Sequence, residues 1–119
     1  MDSITLNWAV GDNSDKALEP RLLDLSVRKI VWLDIKRLIA LIHQRRGFAV
    51  NHVPQVKEYW KSGGWMDPSE IRGFSKKGDL IVEGKNRLAA ALELGETHSP
   101  FSVPLDIAED FLEKYHSIV

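Results

Sequence analysis

The alternation of apolar and polar positions is clearest at the start of the chain. Over residues 3–10, Ile4, Leu6, Trp8 and Val10 fall on one side and Ser3, Thr5 and Asn7 on the other, the period of a half-buried strand. The run Gly11-Asp12-Asn13-Ser14-Asp15 ends it as a turn, and residues 11–27, without a regular pattern, are expected to form a mobile arm. A second strand is predicted over residues 28–33, β-branched and aromatic at its centre. Asp34 stands as the N-cap of a helix whose inner face is Ile35, Leu38, Ile39 and Ile42 and whose outer face carries Lys36, Arg37, Arg45 and Arg46. Pro54 opens a short helix that runs to about Ser62, with Val56, Tyr59 and Trp60 inward and Gly63-Gly64 as its stop.

Further on, residues 71–74 and 79–83 read as two strands joined by the hairpin turn Ser75-Lys76-Lys77-Gly78. The alanine- and leucine-rich stretch 85–94 predicts a helix closed by Gly95. Residues 101–103 lie between Pro100 and Pro104 and are expected to form only a short or edge strand. A last helix is expected to begin at Asp106 with Glu109 three residues on, its apolar stripe being Ile107, Ala108, Phe111, Leu112 and Tyr115. The fold class is therefore α+β: a short mixed sheet with about four helices. Its parts are an extension (1–27), a core (28–104) and a C-terminal helix (105–119).

At 119 residues the chain has room for one core, and 44% apolar with 28% charged residues is a globular composition. The absence of cysteine excludes disulfides, a thiol nucleophile and a Cys-based zinc site. No apolar run reaches membrane-spanning length and residues 1–4 lack the basic start of a leader, so no membrane partner and a cytoplasmic location are expected. The net charge of −1 conceals an asymmetry: nine basic side chains against three acidic between Arg21 and Lys61, and six acidic against one basic from Leu88 onward. Bulk coating of nucleic acid does not suit a near-neutral chain, whereas a local basic face suits phosphates or an acidic partner.

Candidate chemistry concentrates in Ile81-Val82-Glu83-Gly84-Lys85-Asn86-Arg87. A strand passing through glycine into a helix presents unpaired backbone N–H groups at the positive end of the helix dipole, a setting for phosphate or carboxylate. Lys85 and Arg87 in that first turn add cations where a bare helix disfavours them, which points to a counter-anion. Glu83 is the carboxylate placed to act as general base or metal ligand. His98, Lys36 and Arg37 are accessory candidates. None of His43, His52, His98 and His116 has zinc-ligand spacing, and no serine-nucleophile elbow occurs, so no resident metal is assigned. Trp8, Trp32, Trp60 and Trp65 are read as core rather than base-stacking surfaces, Trp65 least firmly.

The longer pattern, from Ile81 through Gly84, Arg87, the alanine helix and Leu94-Gly95 to Pro100 and Val103, resembles the core motif of the ParB/sulfiredoxin superfamily. The likeness extends more loosely back to residue 28. In partition-type members the Gly-Glu-Arg-Arg box contacts a nucleoside triphosphate; Gly84 and Arg87 match it, while Lys85 and Asn86 depart. The sulfiredoxin cysteine falls on Lys85, which excludes sulfinic-acid reduction. The ParB-like nuclease box places a histidine where Asn86 stands. The resemblance implies a phosphate-binding site at Gly84, Lys85, Asn86 and Arg87 for a nucleotide with Mg²⁺ or for nucleic acid, with weak hydrolase or nuclease activity through Glu83. The alternative is a catalytically inactive protein-binding adaptor or inhibitor of phage or plasmid type, for which the altered box and the opposed charge regions argue.

Overall fold

The structure is a computed structural model that describes residues 6–43 and 51–119. Its main sheet has four strands in the order β2, β6, β4, β5, where β2 is Arg28–Asp34, β4 Ser69–Phe74, β5 Leu80–Glu83 and β6 His98–Pro104. Two short strands, β1 (Asn7–Trp8) and β3 (Trp65–Met66), form a separate parallel pair. Among the described residues there are four α-helices: α1 (Ile35–His43), α2 (Val53–Lys61), α3 (Lys85–Glu93) and α4 (Leu105–Lys114). The α+β expectation is met. Ile4 of the first predicted strand and Arg45 and Arg46 of the predicted basic helix face lie outside the described residues. Among the described residues no helix is long and apolar enough to cross a membrane.

Local sequence explains most of these elements. In β2, Val31 and Leu33 are buried while Lys29 and Trp32 are exposed. Asp34 then accepts a hydrogen bond on Oδ1 from the Arg37 amide at 3.0 Å, so the strand ends in the N-cap of α1. In the 75–79 turn, the Ser75 amide bonds Asp79 O at 2.8 Å and the Gly78 amide bonds Ser75 O at 2.9 Å. At the end of α3, Gly95 takes a left-handed φ of +98°. Its N–H bonds Leu92 O and that of Glu96 bonds Ala91 O, the paired bonds of a Schellman stop.

Several expectations are corrected. Strand β6 runs seven residues and is central, antiparallel to β2 and parallel to β4. Its prolines are tolerated because the ladder to β4 uses only Phe101 and Ser102, which leaves Pro100 and Pro104 outside it. Helix α4 begins one residue earlier than expected, at Leu105 after Pro104, so Asp106 lies inside the first turn, where its charge favours the helix dipole. Tyr59 and Trp32 are exposed, whereas Trp8 and Trp60 are buried and meet edge to face at 4.9 Å.

Residues 11–24 are docked, not a free arm. They form 3₁₀ turns over Gly11–Lys16 and Pro20–Leu23, and Leu22 is fully buried. The buried Asp67 carboxylate accepts the amides of Leu18 and Glu19 at 2.8 and 2.9 Å, and Leu22 O accepts from Ser102 Oγ at 2.6 Å. One buried leucine and a few polar contacts therefore hold this segment. Asp67→Ala removes both charge-assisted bonds at a cost of about 2 kcal/mol. Urea denaturation should show that loss, and amide exchange at Leu18 and Glu19 should accelerate before that of β6.

Candidate functional site

Strand β5 reaches α3 through Gly84, which is the N-cap and has φ +95° and ψ +31°. Two constraints select glycine there. The left-handed backbone disfavours any side chain, and an added Cβ would lie 2.8 Å from Ser69 Oγ. The buried Ser69 hydroxyl donates to Gly84 O at 3.2 Å, which locks the turn to β4. Among the described residues no side chain accepts a hydrogen bond from the first amides of α3.

The box residues then diverge. Asn86 Oδ1 accepts the His52 amide at 3.0 Å and so ties the start of α3 to the start of α2. Arg87 folds back, its Nη1 donating to Pro68 O at 3.0 Å and Asp67 O at 3.3 Å. Lys85 is half-buried and lines a different cleft of about 260 Å³ with Leu41, Ile42, Leu80, Glu83 and Tyr115. Glu83 is exposed on the rim between the two clefts, 3.9 Å from Arg72 Nη1.

The accessory candidates stand apart from the box. His98 begins β6 opposite Asp34, with its Nδ1 3.0 Å from Thr97 Oγ1. By strand order and register it lies two strands from β5, about 10 Å across the sheet, and a further ~10 Å along it. Arg37 donates to Ser117 O in the C-terminal turn, and Lys36 is exposed on the same first turn of α1.

A second cleft, of about 110 Å³, adjoins Gly84 and Arg87 and holds chemistry that sequence reading missed. At its base is Glu70, whose side chain is only 10% exposed. Arg21 grips both of its carboxylate oxygens at 3.0 Å, Arg28 approaches Oε2 at 3.4 Å and Arg72 approaches Oε1 at 3.7 Å. Arg28 is held in turn by Ser102, through its hydroxyl and its carbonyl. Glu19 completes the wall and pairs with Arg21 at 3.1 Å. The cleft is thus lined by three guanidinium groups, those of Arg21, Arg72 and Arg87, and three carboxylates, those of Glu19, Glu70 and Glu83, while Arg28 reaches Glu70 from β2. No single-residue signal in the sequence marks Glu70; its partner Arg21 lies 49 residues earlier in the chain, and Arg28 is likewise distant in sequence.

No family model, curated protein or solved structure matches this chain. Function is therefore read from the chemistry of the clefts. Among the described residues no three or more His, Asp or Glu side chains come together as a metal site. The guanidinium groups beside an uncapped helix start suit a phosphoryl group. The volume suits one too, since clefts that enclose a whole small ligand start at about 300 Å³. Arg72 and the first amides of α3 are the groups here that a phosphate could meet, since Arg21 and Arg87 are held by the chain's own carboxylates and carbonyls.

Glu70 titrates below its ordinary value near 4.5, chiefly through the Arg21 hydrogen bond and further through the charges of Arg21, Arg28 and Arg72, with burial opposing them. The same contact raises Arg21. A depressed carboxyl contributes stability that is present above its unfolded value and is lost as pH falls through the folded one. Urea midpoints should therefore drop as pH falls below about 4.5, with a shallower drop in Glu70→Gln. Gly84→Ala should cost about 1–2 kcal/mol for the left-handed backbone alone. The Ser69 overlap adds to that cost, so its urea midpoint should fall below that of Gly78→Ala, where φ is +84° and the added Cβ meets open space.

Proposed function

We propose that the chain is a ParB/sulfiredoxin-like domain that binds a phosphate-bearing ligand, a nucleotide or a nucleic-acid end, in the cleft at the start of α3. The observation that carries this reading is the half-exposed Arg72 guanidinium in a cleft beside the start of α3, with its nearest carboxylate at 3.7 Å. The element order β5, Gly84, α3, β6 supports the family reading, being the strand, glycine, helix and strand of that motif.

The residues divide the work differently from the familiar box. Arg72, half-exposed at the mouth of the cleft, is the direct phosphate contact, and the first amides of α3 provide backbone donors. Arg87 and Asn86 hold the loops that shape the site, through the 67–68 carbonyls and the His52 amide. Glu83 on the rim is the carboxylate that would meet a metal ion carried by the ligand.

A second reading, a protein-binding adaptor or inhibitor on the same scaffold, is favoured by that engagement of Asn86 and Arg87 with the chain's own backbone. Calorimetric titration with pyrophosphate, ATP, CTP, GTP and a 5′-phosphorylated oligonucleotide, with and without Mg²⁺, separates the two. The ligand-binding reading predicts saturable heat with at least one of them, weakened roughly tenfold by Arg72→Ala and by rising salt. Absence of heat with all of them would leave the adaptor reading.

A further inference from the structure

Strand β2 ends the sheet order, so no other described strand pairs with its outer edge. Its main-chain directions follow from bonds that flank it. Leu105 N donates to Val27 O and Ile35 N to Thr97 O, on the same register that pairs β2 with β6. Odd-numbered residues of β2 therefore exchange bonds with β6, and even-numbered ones turn their N–H and C=O groups to the free edge. The Arg28 amide agrees with this parity, since it bonds Asp24 O instead of β6. Ile30 and Trp32 are thus the central outward-facing positions, and Trp32 is 44% exposed.

The two ends of this edge carry opposite charge. Helix α4 begins beside the first residues of β2, where exposed Asp106, Glu109 and Asp110 line a groove of about 280 Å³ with Leu105 and Lys29. Helix α1 begins at the last residue of β2 and opens with exposed Lys36 and Arg37. A seven-residue edge without proline, apolar at its centre, acidic at one end and basic at the other, is complementary to its own reverse.

We propose that two copies of the chain pair through their β2 edges, antiparallel and centred on Val31, to form one continuous eight-stranded sheet. In this register Ile30 of each copy lies opposite Trp32 of the other, both at positions whose main-chain groups face outward. The acidic start of α4 in each copy comes beside the basic start of α1 in the other. The occupant of the edge is a second copy because one pairing satisfies the backbone parity, the apolar centre and both charged ends. An unrelated partner would be required by none of them. The α3 cleft is lined from β4, β5, α3 and the N-terminal segment and includes neither Ile30 nor Trp32, so the edge pairing uses other residues than ligand binding there.

Sedimentation velocity over a concentration series tests it. The full chain should move from its 13.5 kDa monomer toward twice that mass. Ile30→Pro deletes one outward N–H and leaves the β6 ladder intact, so it should abolish the dimer with an unchanged far-UV spectrum. Glu109→Lys or Lys36→Glu alone should raise the dimer dissociation constant about tenfold, and the two together should restore it. A parent chain that stays monomeric at every concentration would overturn the proposal, as would a dimer indifferent to a folded Ile30→Pro. Should that variant unfold, the charge exchange decides: rescue supports the pairing, and additive loss or no effect refutes it.

Discussion

A buried carboxylate needs compensation, and the arrangement around Glu70 is the answer to that constraint. Its side chain sits on β4 at the level of Ser102 in β6, with one arginine from β2, one from β4 and one from the docked N-terminal segment. Removing Arg21 takes away the two 3.0 Å bonds to a carboxylate whose side chain is only 10% exposed. The sheet and the N-terminal segment are thereby coupled, and Asp67, three residues earlier, repeats the device with backbone amides as donors. Asp67 lies between β3 and β4 and Glu70 is the second residue of β4, so this short stretch ties the N-terminal segment to the sheet.

The start of α3 inherits its setting from the same stretch. Ser69 fixes Gly84, and the 67–68 carbonyls fix Arg87. A left-handed glycine that cannot carry a side chain, an uncapped helix end and a set of guanidinium groups then meet in one small cleft. The arginines and glutamates that line the cleft balance in charge, and Arg72, whose ion pairs are 3.7 and 3.9 Å long, is the guanidinium proposed to meet an anion.

Features set by near neighbours were legible in the sequence. The β2 strand, the Asp34 cap, the 75–79 hairpin and the Gly95 stop depend on residues within a few positions of one another, and they stand where pattern placed them. Strand β6 was misjudged because two prolines argue for an edge; its central place depends on which residues β4 pairs with, a long-range fact. Gly84 was recognisable from the strand-to-helix switch. The duties of Asn86 and Arg87 were not, since their partners, His52 and the 67–68 carbonyls, are distant in sequence. Glu70 escaped notice for the same reason: a glutamate in a short polar run looks solvated until the fold brings Arg21 and Arg28 to it.

The central claim is that the anion site lies at the uncapped start of α3 and is served by Arg72. Heteronuclear NMR during a titration with inorganic pyrophosphate tests it most directly, because the backbone amides and the arginine Nε–H groups report separately. The account predicts saturable shifts at the amides of Lys85 and Asn86 and at Arg72 Nε, with the β2 edge unperturbed. Shifts confined to other surfaces, or a spectrum unchanged at saturating pyrophosphate, would contradict it.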